Sequence, residues 1–402
     1  MTDKLYLQDA YIQEFQAVVL ESRQTADGWE IVLDRTAFYP EGGGQPCDIG
    51  DIDGLPVTAV REEGESVIHV MQQPPASETV TGRIDWSRRF YHMQQHSGQH
   101  ILSAVFDDKC QAATVGFHLG TDSTQIDVAI ADLKPEQMAE AEATANLALY
   151  ANMPVTAEWV KVEDLVRYQL RKPPAKNFAQ LRLVSVRNID CCPCGGTHVK
   201  STGEIGMIKI LGWERKNNAV RVDFVCGERA LTDYQLKHHL VQEMASNLSV
   251  PVKELAEAFV QRLAKIDSLT KELTTVRLEL SQFQAAALLQ TAPLYKDIHM
   301  VAHCLQDAPP NDAAQLAKNL TATVPAAAFV AAISPGAAKA HLVFATNTDR
   351  LDMGKLLKAA LAKLNGKGGG SPRLAQGGTT SPDKLQEVLD EALTEAKRFL
   401  EN

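Results

Sequence analysis

Two residue pairs roughly a hundred positions apart constrain this fold most strongly. His96 and His100 lie in Gln94-Gln95-His96-Ser97-Gly98-Gln99-His100, and Cys194 and His198 lie in Cys191-Cys192-Pro193-Cys194-Gly195-Gly196-Thr197-His198. On a helix, side chains at i and i+4 project from one face, so two imidazoles can reach one cation while a distant turn supplies a thiolate and a third imidazole. The constellation reads as a zinc site with His96, His100, Cys194 and His198 as ligands. Without the turn, the histidine pair would better suit a solvated or core-satisfied helix face. Cys191 and Cys192 are alternative thiolates; Cys194 is preferred because it heads the four-residue spacing to His198.

Ser97 stands where a zinc protease needs a general-base glutamate after its first histidine, which excludes proteolysis. Four protein ligands would close the tetrahedron of a structural zinc, whereas catalytic zinc keeps one position open. Both roles stay open at this level. At 402 residues and 45% hydrophobic content the chain should form two or three soluble domains. Its N-terminus lacks an apolar signal core, and its most apolar run, Val324 to Ala338, is interrupted by Pro325 and Pro335. Seven cysteines, three of them within four residues, suit metal binding in a reducing compartment, so a cytoplasmic location is expected.

Short β-rich runs before Trp86, such as Trp29 to Asp34 and Ser66 to Val70, are separated by turns such as Asp53-Gly54. They predict a small N-terminal β-barrel. A helix should then carry His96 and His100, followed by an α+β layer with strands at Gln125 to Val128, Arg182 to Val186 and Val220 to Val225. Leu255, Phe259, Leu263, Ile266, Leu269, Leu273, Val276, Leu280 and Phe283 recur at spacings of three and four. That stripe predicts a long helix buried in an intramolecular hairpin or a dimer seam. The fold class is thus α+β multidomain: an N-terminal small β-barrel with a glycine-rich motif (1–85), an α/β zinc-containing domain (86–230), a long helical linker (231–295) and a C-terminal α/β domain (296–402).

The paired metal motifs resemble those of the editing domain of alanyl-tRNA synthetases and of its free-standing relatives, the AlaX proteins, here in their long form. Thr36-Ala37-Phe38-Tyr39-Pro40-Glu41-Gly42-Gly43-Gly44-Gln45 resembles that family's N-terminal glycine-rich motif, and Val115-Gly116-Phe117-His118-Leu119-Gly120 is similar to its pocket-lining segment. Gly368-Gly369-Gly370-Ser371-Pro372-Arg373-Leu374-Ala375-Gln376-Gly377-Gly378 resembles the motif of the C-terminal domain shared with DHH-type phosphoesterases. The resemblance implies a Zn2+-dependent hydrolase that edits in trans, removing serine, and also glycine, from mischarged tRNA(Ala). It places Thr36 and His118 at the reacting ester and Gly42, Gly43 and Gly44 beside the substrate. Arg88 and Arg89 become phosphate contacts, and the C-terminal domain would contact tRNA or promote a homodimer.

Zinc can activate water, polarise the ester carbonyl or hold the α-amino group, and the sequence leaves these open. No Walker-type Gly-Lys-Ser/Thr occurs, so ATP use is not indicated. The formal charge of −10 conceals a segment, 160–237, with 14 Lys and Arg against 8 Asp and Glu. Such a surface beside the zinc would attract a tRNA end, although the same charges suit scattered solvated faces equally well. The alternative function is a zinc-stabilised tRNA-binding module without hydrolysis.

Overall fold

The computed structural model describes residues 1–26, 28–172, 179–336 and 339–401, in two compact units, Met1–Glu243 and Met244–Asn402. The first unit opens with a closed barrel whose strands follow the order Glu14–Thr25, Gly28–Leu33, Ser66–Met71, Leu55–Glu63, Gly50–Ile52 and Thr79–Ile84. Each neighbouring pair is antiparallel. Alternation fills it: Val80 and Ile84 of the last strand face inward with Phe15, Ile31, Leu33, Val57 and Met71, while Thr79 and Arg83 face solvent. Gly82 makes room for Phe15, whose ring lies 2.5 Å from where a Cβ would stand.

A helix, Trp86–Cys110, follows the barrel. Asp85 starts it by accepting the Arg88 backbone N–H, and Gln111, at φ 51°, ends it in the left-handed region. Met93, Ile101, Leu102, Val105 and Phe106 pack into a core shared with helix Pro135–Tyr150 and an antiparallel sheet. That sheet runs Ile208–Lys216, Ala219–Cys226, Thr124–Val128, Thr114–Leu119. Burying each such side chain contributes about 1.5–3 kcal/mol, which fixes the rotation of the helix. Close approach matters too: a Cβ on Gly98 would meet Cys226 Sγ at 2.3 Å. A second sheet, Val155–Lys161, Gln180–Val186 and Asp190–Pro193, delivers the cysteine-rich turn.

In the second unit, the C-terminal end of helix Leu255–Thr291 and helix Pro310–Leu320 cover one face of a six-stranded sheet. Helices Met353–Lys363 and Leu385–Glu401 cover the other. Ile298–Leu305 and Ala326–Ile333 pair in parallel across the intervening helix, and the remaining pairs are antiparallel. The expected stripe is present on Leu255–Thr291 but is not buried by the described residues of the second unit. Leu263, Leu273 and Leu280 are each about half exposed and Phe283 is 75% exposed; only the last turns, with Ala285, Leu288 and Leu289, join the core. Gly368 and Gly370 need their lack of a side chain for close packing. They lie in an edge strand, Lys367–Gly370, so close to Leu374–Thr379 that a Cβ on either would stand 2.4 or 2.3 Å from a backbone carbonyl oxygen. No described helix is long and apolar enough to cross a membrane.

Candidate metal centre and active site

The helix Trp86–Cys110 presents His96 and His100 one turn apart, and the turn after Asp190–Pro193 brings Cys194 and His198 onto them. One ligand atom from each of the four lies within 4.8 Å of all the others. Cys194 Sγ is 3.2 Å from His198 Nε2 and 3.5 Å from His96 Nε2. A tetrahedral zinc with bonds near 2.0 Å to nitrogen and 2.3 Å to sulfur has N···S edges of about 3.5 Å, so the spacing fits such an ion. Cys192 is set apart, 3.4 Å from His100 Nδ1, and Cys191 Sγ accepts from Ser185 Oγ at 3.2 Å.

Each imidazole is anchored through Nδ1: His96 to Gln45 Oε1 at 2.8 Å, His100 to Asp190 Oδ2 at 2.8 Å, and His198 to Ser97 Oγ at 3.0 Å. Such outer partners select the tautomer whose Nε2 faces the centre. Charge fits a cation as well. Burial opposes ionisation of Cys194, yet His96, His198 and hydrogen bonds from His100 and His198 hold its thiol well below the ordinary range. Burial raises Asp190, but His100 and Arg171 outweigh it and keep the carboxylate ionised. Burial pushes His198 down to about 3, a neutral ring ready to coordinate. Burial likewise works against a charged His100, but Cys192, Asp190 and Cys194 hold it well above its usual value. The cluster thus offers a cation one ready thiolate, from Cys194, and one neutral ring, from His198.

The cluster forms one wall of a cavity of about 540 Å³. Tyr39, Gly42 and Gly43 also line it, together with Phe117 and Lys172. Phe117 stacks on His96, ring centroids 5.1 Å apart at 29°. This geometry can hold a cation beside a partly apolar pocket.

Residues 181–221 match the threonyl and alanyl tRNA synthetase second additional domain, and residues 297–402 match the DHHA1 domain. The alanyl-tRNA editing protein AlaX-L of Pyrococcus horikoshii is 32% identical over 419 residues, covering 100% of both chains. The chain belongs to the alanyl-tRNA editing protein family. The editing protein Aarsd1 of Danio rerio is 30% identical over 70% of this chain and 71% of its own. The alanine–tRNA ligase of Pyrococcus furiosus is 30% identical over 97% of this chain, which spans 43% of the ligase.

Of the residues that resemblance to the editing family pointed to, the metal set and the glycine-rich loop converge on the cavity. Gly42 and Gly43 line it, and Gly44, at φ 84°, packs so tightly under Phe117 that a Cβ would stand 2.7 Å from the ring. The expected role of Thr36 requires correction. It is fully buried in the barrel unit, its hydroxyl 2.8 Å from His69 Nε2 and accepting the Phe38 N–H, and it does not line the cavity. His118 is exposed, because strand alternation turns its neighbour Phe117 toward the metal cluster. Arg89 is not a phosphate contact: it is fully buried and ion-paired with Asp48. Arg88 Nε donates to Cys47 O at 3.1 Å, also away from the cavity lining.

The basic surplus of 160–237 is partly internal. Arg171 braces Asp190 at 2.6 Å and Arg182 donates to the carbonyls of Cys194 and Gly196, while Arg221 pairs with Asp127 and Arg215, at the surface, with Asp132. Lys176 lies outside the described residues. Sequence reasoning missed Gln45, Asp190 and Phe117 as working parts of the site. Each adjoins a noticed motif, but only the fold shows which neighbour faces inward.

Proposed function

We propose that the chain is a zinc-dependent aminoacyl-tRNA hydrolase, acting in trans on Ser-tRNA(Ala), with Gly-tRNA(Ala) as a second substrate. The reading is carried by one observation: the four ligand atoms gather together, and three of their residues, His96, His100 and Cys194, line a cavity that the glycine-rich loop also lines. Full-length similarity to AlaX-L supports it. His96, His100, Cys194 and His198 hold the ion, which when bound supplies a Lewis acid beside the ester. Gly42 and Gly43 leave space along the cavity lining, Phe117 excludes water from one side of His96, and Lys172 replaces Arg88 and Arg89 as the cation for a terminal phosphate. The reaction adds water across the ester, releasing the amino acid and the ribose hydroxyl of tRNA.

Within this reading, segments 1–85 and 86–230 form the editing part, 231–295 the helical linker and 296–402 the DHH-associated part, in a cytoplasmic protein. Deacylation of Ser-, Gly- and Ala-charged tRNA(Ala) tests it. Seryl ester should turn over, and a pocket that needs the seryl hydroxyl rejects the alanyl ester by up to about 10⁴-fold to 10⁵-fold. The four-ligand set also favours a second reading, a tRNA-binding module closed around structural zinc; binding of tRNA without turnover would establish it.

The open stripe on Leu255–Thr291 supports a homodimer, since a run of half-exposed leucines at heptad spacing is a surface that a second copy covers. Light scattering should give twice the mass of one chain, reduced to one chain by Leu273→Glu with Leu280→Glu. A wild-type monomer would refute the seam.

A further inference from the structure

Gln45 belongs to the glycine-rich loop by its backbone and to the metal cluster by its side chain. Within the loop, Gly42 N–H donates to Gln45 O at 3.1 Å and Gln45 N–H to Gly42 O at 3.0 Å. The side chain, 1% exposed, reaches away: Oε1 is 2.8 Å from His96 Nδ1 and accepts from Thr197 N–H at 3.3 Å, while Nε2 donates to Thr197 Oγ1 at 2.8 Å. A flipped amide would set its NH2 against the Thr197 N–H, so the neighbours fix its orientation. With Oε1 as acceptor, His96 carries its proton on Nδ1 and turns the Nε2 lone pair toward Cys194 and His198.

The same loop holds His96 from a second side. Gly44 O accepts the Leu119 N–H at 3.1 Å, and Gly44 packs on the Phe117 ring that stacks on His96. Loop, strand and ligand therefore form a closed circuit. Between Gly42 and Gln45 the backbone passes through Gly43 and Gly44 at φ 58° and 84°, a path with little intrinsic preference of its own. From this circuit the geometry points to Gln45 as a positioning residue that makes the order of the glycine-rich cavity wall depend on metal loading at His96. The inference rests on the cluster being a metal site. An ion on Nε2 polarises the ring and strengthens the Nδ1–H bond to Oε1; without one, that bond is weaker and the loop is held less firmly.

Hydrogen exchange on the full chain, zinc-loaded and after chelation, tests this without reference to activity. The Gly42 and Gln45 amides should exchange at least about tenfold faster after chelation, while those of Thr124–Val128 stay protected. Gln45→Met should show the fast loop exchange even with zinc present and should bind Co2+ about 10–100-fold more weakly, the usual cost of losing an outer partner. Gln45→Glu keeps an acceptor for His96 and should restore both loop protection and affinity to within a few-fold. Equal protection of Gly42 and Gln45 in loaded and chelated wild type overturns the inference and leaves the metal reading intact. Failure of the wild type to bind Co2+ overturns both. Should Gln45→Met not fold, the chelation comparison in wild type and Gln45→Glu decides alone.

Discussion

Cys194→Ala should yield a folded protein that has lost its zinc and, with it, hydrolysis of Ser-tRNA(Ala), while tRNA binding survives. The expected size follows from sharing. Zinc binding by four protein ligands is worth about 10–16 kcal/mol, so one ligand carries roughly 3–4 kcal/mol, or about 10²-fold to 10³-fold in affinity. Cys194 should stand at the upper end, because it is the thiolate of the set and its ionised form is already favoured by His96 and His198. His96→Ala should lose zinc comparably. Cys191→Ala should retain it, since that thiol faces Ser185, and Cys192→Ala should lose little, because Cys192 touches the Nδ1 edge of His100. Metal content by atomic spectroscopy beside single-turnover deacylation checks this. Zinc lost from Cys191→Ala but kept by Cys194→Ala would show the ligand set to be wrong.

The contrast between Cys194 and Thr36 shows what was legible in the sequence. Helical spacing and a short turn bring His96 beside His100 and Cys194 beside His198, so each half of the cluster is written locally. The barrel strands and the long helix are visible for the same reason, as periods of two and of three to four. Facing direction is another matter. Phe117 and His118 are adjacent on one strand, and a shift of one residue exchanges inside for outside, so a motif match alone could not decide which of them meets the cavity. Thr36 turned toward His69 and Arg89 toward Asp48, partners 33 and 41 positions away that no local pattern announces. The stripe from Leu255 to Phe283 was readable as apolar, but periodicity does not say whether its cover comes from the same chain.

Arg89→Met should destabilise the first unit by about 3–5 kcal/mol, the range for breaking one side of a buried ion pair. Both Arg89 and Asp48 are fully buried. Arg89 Nε lies 2.9 Å from Asp48 Oδ2, Nη1 donates to Ala10 O at 2.8 Å, and Nη2 bonds Ala37 O, so the guanidinium leaves no charge without a partner. Asp48 in turn accepts the Tyr39 N–H at 2.7 Å, and the Tyr39 hydroxyl donates to Gly42 O at 3.0 Å. The pair therefore ties the helix of the metal ligands to the wall of the cavity. Methionine matches the length of the lost stem but strands a carboxylate without water, which explains why the cost exceeds that of a deleted surface contact. In Arg89→Met with Asp48→Asn the stranded charge is gone and the acceptor for Tyr39 remains, so the double variant should regain part of the loss. Urea unfolding of the three proteins, with fluorescence as the readout, measures both steps. A single variant within about 1 kcal/mol of wild type would mean that solvent reaches Asp48, and a double variant no more stable than the single would place the cost in lost packing instead of unpaired charge.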